Sequence, residues 1–183
     1  RRNEPCNDPV WPAARLSAKS RAGHKGFALK KNEAPLSVLV LCTGNSCRSI
    51  LAEVLFNELG GERFLAYSAG SQPSGTVNPG ALKKLANEGH RTDGLRSKSW
   101  DEFSGPGAVP VDIVITVCDS AAGESCPLWY GSPITVHWGI PDPAHASAAE
   151  ADAAFDRTYQ QLRSRIEQVM ELPLESLDRR HWK

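Results

Sequence analysis

Leu36, Val38, Leu39, Val40 and Leu41 form a short apolar run. A run of that length and density predicts a strand buried on both faces, as in a parallel sheet. After a Gly/Asn/Ser turn, Leu51, Val54, Leu55 and Leu59 recur at helical spacing, which predicts a helix with one apolar side. Phe64 to Ser68 reads as a second strand. Asn78-Pro79 then supplies an N-cap and a first-turn proline for a helix packing through Leu82 and Leu85, with Gly89 as its terminator. Val111, Ile113, Val114, Ile115 and Val117 predict a third buried strand, and Ile134 to Trp138 a fourth. Phe155, Tyr159, Leu162, Ile166 and Val169 make one stripe on a long C-terminal helix. Strands alternating with helices imply an α/β fold: a three-layer α/β/α arrangement around a parallel sheet.

Residues 1–34 differ from this. They combine Pro5, Pro9, Pro12, Gly23 and Gly26 with scattered Arg and Lys and show no sustained period, the composition of a poorly ordered extension. The expected organisation is that extension, one domain over 35–172 and a short tail over 173–183. The chain of 183 residues is neutral overall, but residues 1–33 hold 8 of the 21 Lys+Arg against 3 of the 21 Asp+Glu. The remainder is therefore net acidic, and no global field recruits nucleic acid or an anionic membrane. No apolar run approaches the roughly 18 residues that span a bilayer, and the N-terminus shows no apolar core of a secretory signal. The sole methionine is Met170, so the chain reads as a fragment, a processed product or a read-through. The expected setting is cytoplasmic, with the protein a monomer. Five cysteines, an odd number, then favour reactive or metal-binding thiols over structural disulfides. Cys6 lies in the extension and receives no role.

The chemistry concentrates in Cys42-Thr43-Gly44-Asn45-Ser46-Cys47-Arg48-Ser49, between the first strand and the first helix. A loop there aims successive N–H groups at one point, and the helix N-terminus adds partial positive charge. Gly44 eases the turn and Asn45 tolerates a left-handed backbone. Arg48 can hold two oxygens of a tetrahedral anion at once. Cys42 at the loop's mouth should feel the same donors, and a thiol pKa below its free value is expected. Thr43, Gly44, Asn45, Ser46, Cys47 and Arg48 thus form a candidate oxyanion cradle, with Ser49 placed to donate its hydroxyl to the Cys42 thiolate. Cys47, inside the loop, could protect Cys42 through a disulfide or could serve packing alone.

This Cys-x5-Arg text, continuing into Ile50-Leu51-Ala52-Glu53, resembles the phosphate-binding loop of low-molecular-weight tyrosine phosphatases. It resembles still more closely that of their relatives, the thioredoxin-coupled arsenate reductases. The resemblance runs from about Leu36 to Met170 and implies a four-stranded parallel sheet flanked by helices. It also implies that Asp142, in Pro141-Asp142-Pro143-Ala144, is the general acid, its backbone pinned by two prolines. In the phosphatases an aromatic residue usually follows the Asp-Pro pair. Ala144 stands there instead, which points to a small oxyanion rather than an aryl phosphate.

Cys118 and Cys126 are two further thiols that a phosphatase does not need. Reduction of As(V) to As(III) takes two electrons, which a thiol pair supplies by becoming a disulfide. The resemblance implies a relay in which Cys42 attacks arsenate, Cys118 attacks Cys42, and Cys126 attacks Cys118. The gap from Cys118 to Cys126 is one residue longer than in the familiar pattern. A straight helix would hold their Cα atoms roughly 12 Å apart, against the roughly 4.4–6.8 Å of a disulfide, so the segment is expected to bend or unwind. No bound cofactor or metal is expected. The partners are arsenate as substrate, phosphate as competitor, and an external thiol reductant, either thioredoxin or a glutathione/glutaredoxin system. A plain tyrosine phosphatase and a phosphocysteine carrier are the alternatives. Ser68 is expected to support the loop with Asn45, while His137 and Trp138 read as structural. Arg96 and Lys98 are either rim cations or a solvated face.

Overall fold

The computed structural model describes residues 34–118, 129 and 133–173. The elements are β1 (Leu36–Cys42), α1 (Arg48–Gly60), β2 (Phe64–Gly70), α2 (Pro79–Asn87), β3 (Ile113–Thr116), β4 (Ile134–His137) and α3 (Ala151–Met170). Short 3-10 turns occupy Gly61–Arg63, Trp100–Phe103 and Pro143–His145. All strands are parallel and lie in the order β2-β1-β3-β4.

Every residue of β1 is buried, the polar Ser37 included, as its largely apolar text requires of a strand with neighbours on both edges. Its side chains alternate between two cores. Val38, Val40 and Cys42 face a large cluster shared with α1, α2 and α3, and Leu39 and Leu41 face a smaller one around Phe103, Val111 and Val114. Helix α1 is apolar on most of its circumference because it packs against β1 and β2 and against α3. Phe155, Tyr159, Leu162 and Ile166, the stripe read from spacing, are the buried face of α3. Among the described residues the second sheet face is covered by the Trp100–Phe103 turn and Tyr67, with Trp129 beside them.

Helix α2 starts and stops as its sequence dictates. The Asn78 side chain accepts from the Gly80 N–H at 2.8 Å. At the other end Gly89 has φ +82. The Gly89 and His90 N–H groups return to the carbonyls of Ala86 and Leu85, each at 3.0 Å, a left-handed cap that only glycine enters at no steric cost. The third strand is shorter than its apolar text. Val111 and Val117 are buried but flank the ladder, and Ser37 and Asp112 close its start through reciprocal bonds of 2.9 and 3.0 Å.

The chain leaves β1 for β2 on one side and returns to place β3 on the other. Connections from the C-terminal ends of β1 and β3 therefore diverge and open a crevice, the general position for ligands in open parallel sheets. Cys42 ends β1 at that crevice.

Glycine at position 80 is a packing requirement. A Cβ there would overlap the Phe155 ring, with Cζ at 2.8 Å. On helix propensity alone Gly80→Ala would stabilise; the clash reverses the sign. We expect a loss of about 1–3 kcal/mol in urea unfolding, and an unchanged or raised midpoint would refute the packing assignment.

Candidate functional site

Three carbonyls of the loop from Thr43 to Cys47 are committed to the chain that follows β2. The Gln72, Ser74 and Asn78 N–H groups donate to the carbonyls of Thr43, Gly44 and Ser46 at 2.9, 2.9 and 3.0 Å. The Ser97 hydroxyl adds a second bond to Gly44 O at 3.1 Å. With its acceptors turned outward the loop is left to offer donors inward. Asn45 bends the chain at φ +42, the left-handed conformation expected of it, and its N–H donates to Cys42 Sγ at 3.2 Å. Helix α1 begins at Arg48 with no side-chain cap and no acidic residue in its first turn, so its positive end faces the loop uncompensated. Gly70 abuts this loop: a Cβ there would collide with the Thr43 carbonyl oxygen.

Behind Cys42 lies a buried polar chain whose proton directions follow from one bond. The Lys98 backbone N–H donates to Asn45 Oδ1 at 2.8 Å, which fixes the amide so that Nδ2 is the opposite atom. Nδ2 donates to Ser49 Oγ at 2.9 Å and to Ser68 Oγ at 2.8 Å. Both hydroxyls are acceptors from Asn45 and spend their own protons elsewhere. Ser68 donates to Glu53 Oε2, and Ser49 is left to donate to Cys42 Sγ, 2.9 Å away. Oriented this way the chain favours the thiolate.

Arg48 and Asp142 meet across the crevice. Arg48 Nη2 lies 2.6 Å from Asp142 Oδ2, and Nη1 donates to the Ile140 carbonyl at 2.9 Å. Arg48 Nε is buried with no hydrogen-bond partner among the described residues, a donor left unsatisfied within the protein. The other Asp142 oxygen caps the Pro143–His145 turn by accepting from Ala144 N–H at 3.1 Å. These residues enclose a cavity of about 600 Å³ lined by Cys42, Thr43, Gly44, Ser46, Cys47, Arg48, Cys118 and Asp142 among others. Of the predicted cradle residues, Asn45 is the one absent from this lining; its side chain faces inward to the polar chain.

The thiols of Cys42, Cys47 and Cys118 converge here, none of them joined in a disulfide. Cys118 lies two residues beyond the end of β3, buried, 3.5 Å from Thr43 Oγ1. Burial pushes the Cys42 thiol up from its ordinary value, while Ser49 and, more weakly, Arg48 draw it down. The depressed pKa expected from the loop text is therefore not what this geometry gives. Desolvation outweighs the donors, and the neighbouring Cys118 adds to the upward shift. Cys47 is pushed up to about 11, again chiefly by burial. Cys126, and the bending expected between it and Cys118, lie outside the described residues, as does Cys6.

Residues 37–181 match the low molecular weight phosphotyrosine protein phosphatase family. The chain belongs to that family. The match extends beyond residue 172, where the sequence reading ended its domain. Within the family the chain is 32% identical over 136 residues to an arsenate reductase of Bacillus subtilis, covering 73% of this chain and 94% of the relative. It is 35% identical over 136 residues to an arsenate reductase of Halalkalibacterium halodurans, with the same coverages of 73% and 94%. Among solved structures, an arsenate reductase in the phosphate binding state superposes with a TM-score of 0.62 at 26% identity, covering 74% of this chain and 96% of that one.

The family loop is accompanied by residues that sequence reading passed over. Lys98 is neither a rim cation nor solvated: it is buried, with Nζ 3.1 Å from Glu53 Oε2. Arg96 pairs instead with Glu102 on the surface. Glu53 carried a usable signal, as a lone acid within the apolar stretch Ile50–Phe56 of α1. His145 lines the cavity, with nothing in the sequence to mark it. His137 bonds Thr116 Oγ1 at 2.8 Å and Trp138 stacks on Phe56, the structural parts expected of them.

Removing the Ser49 hydroxyl takes a donor from the thiolate and nothing from the thiol. Ser49→Ala should move the pH profile of Cys42 alkylation by iodoacetamide to higher pH, slowing the reaction at neutral pH by about tenfold. Mass spectrometry of the Cys42 peptide reads the rate, and an unmoved profile would show that Ser49 does not donate to the sulphur.

Proposed function

We propose that the protein reduces arsenate to arsenite, with Cys42 as nucleophile, and that it is an arsenate reductase within its family. The observation that carries this reading is the second thiol. Cys118 is buried in the same cavity as Cys42, where ester hydrolysis has no use for it and a two-electron reduction requires it. The arsenate reductases among its relatives support the same conclusion.

Arsenate, a tetrahedral anion, enters the loop and takes the inward N–H groups and the Arg48 donors, including the unpartnered Nε. Arg48 thereby exchanges Asp142 for the anion. Asp142, taking up a proton, supplies it to the departing oxygen as the Cys42 sulphur bonds to arsenic and water leaves. Cys118 thiolate then attacks the Cys42 sulphur. The S–S bond forms, the S–As bond breaks, and its electron pair stays on arsenic, which leaves as arsenite. Cys126 attacks Cys118 in turn, freeing Cys42 as thiolate and holding the disulfide as Cys118–Cys126. An external dithiol, thioredoxin or a glutaredoxin system, reduces that disulfide. The reaction belongs in a reducing compartment, the cytoplasm, and the acting unit is the domain of residues 35–172 as a monomer. No helix among the described residues is long and apolar enough to cross a membrane.

Three expectations follow from this assignment. Arsenate-dependent NADPH oxidation with thioredoxin and thioredoxin reductase should vanish in Cys42→Ser and Cys118→Ser, and should fall by about 10²–10⁴ in Asp142→Asn. Inorganic phosphate should raise KM for arsenate without changing kcat, since both anions use the same donors. Cys126→Ser should abolish turnover with thioredoxin; survival with glutathione and glutaredoxin would identify that system as the reductant. Brisk p-nitrophenyl phosphate hydrolysis that ignores the loss of Cys118, without arsenite production, would make the protein a phosphatase instead.

A further inference from the structure

Among the described residues Lys98 is the one charged side chain in the fully buried class, at 8% exposed. Nothing in the relay above uses it. A buried ammonium is costly unless paired, and this one is doubly held: Nζ lies 3.1 Å from Glu53 Oε2 and 3.4 Å from Ser68 Oγ. Glu53 is itself largely covered, its side chain 16% exposed. The Lys98 backbone also acts on the loop, since its N–H fixes Asn45 Oδ1 and its carbonyl accepts from Gly70 N–H at 2.9 Å.

We infer that the buried Lys98–Glu53 ion pair is a positioning device for the Cys42 nucleophile, acting through Ser68, Asn45 and Ser49. Glu53 Oε2 meets the Lys98 ammonium and accepts the Ser68 hydroxyl, so the Ser68 proton is committed to it. Ser68 is then purely an acceptor toward Asn45, whose two amide hydrogens divide between Ser68 and Ser49. The Ser49 proton is thereby directed to sulphur. Without the ammonium the Glu53–Ser68 contact loses its anchor, the Ser68 hydroxyl is free to turn, and Asn45 is loosened, which raises the cost of the thiolate.

Other charges around this chain are accounted for by position. Arg48, Asp142, Cys47, Cys118 and His145 share the Cys42 cavity. At the far end Arg96 interacts with Glu53 and Glu102 with Lys98, while Arg96 and Glu102 pair with each other on the surface.

The inference concerns how Cys42 is activated and rests on the assignment of Cys42 as nucleophile; its test does not need arsenate. The pH profile of iodoacetamide alkylation is measured at the Cys42 peptide for the parent, Lys98→Met, Ser68→Ala and the double variant, alongside thermal melting. Lys98→Met should shift the profile to higher pH and slow alkylation at neutral pH by about three- to tenfold. Because the effect travels through Ser68, it should largely disappear when Lys98→Met is made in the Ser68→Ala background. A folded Lys98→Met protein with the parental profile overturns the inference, as does a shift that persists undiminished without Ser68. If Lys98→Met does not fold, Lys98→Gln keeps a donor to Glu53 and Ser68 without the charge, and the same upward shift, smaller, is required. A protein that fails to reduce arsenate but shows the coupled shift retains this device and loses the substrate assignment. One that reduces arsenate with an unmoved profile loses only the device.

Discussion

A backbone loop can surround an anion only if its own carbonyls are satisfied somewhere else. Each peptide that turns its N–H inward turns its C=O outward, and a buried carbonyl left unpaired is penalised. In this protein the outward carbonyls of Thr43, Gly44 and Ser46 are met by the N–H groups of Gln72, Ser74 and Asn78. The chain just after β2 therefore acts as the outer wall of the cradle. The close approach of Gly70 to Thr43 O and the bend at Asn45 belong to the same constraint. The helices and sheet serve it by bringing the end of β1, the start of α1 and the exit of β2 to one place.

Two opposing influences act on Cys42. It sits at the end of a fully buried strand, where desolvation favours the neutral thiol, and it faces donors that favour the thiolate. In the arrangement described burial prevails: desolvation is the largest influence, Cys118 adds to it, and Arg48, paired with Asp142, draws the thiol down only weakly. The ion pair thus links the clamp and the acid before any chemistry. Under the mechanism we propose, an anion that competes for the guanidinium would release Asp142, so that anion binding and release of the acid become one event.

The polar chain behind the loop reconciles burial with orientation. Asn45 is fully buried and makes bonds to Ser49, Ser68 and the Lys98 backbone. Such networks are costly when half satisfied and specify a unique arrangement when complete. Here each proton has one place to go. That is why Ser49, rather than being a neutral neighbour of the sulphur, is a directed donor to it.

Much of this protein was legible in its amino-acid order, because the signals were local. The apolar run of β1, the spaced stripe of α3, and the Asn78-Pro79 and Gly89 caps each depend on neighbouring residues, and backbone periodicity translates them directly. Cys42, Arg48 and Ser49 belong to one continuous stretch, so their shared loop could be read as a unit. Tertiary structure alone decided what depends on residues distant in sequence. It brought Cys118 beside Thr43, joined Arg48 to Asp142 and set the direction of the Cys42 pKa. It also placed Lys98, which has the composition of a surface cation, in the interior against Glu53. A lone lysine carries no periodic signal of burial; its environment is fixed by where β2 and α1 pass in space. Local pattern therefore determined the elements and the loop, and long-range packing determined the charges that govern its reactivity.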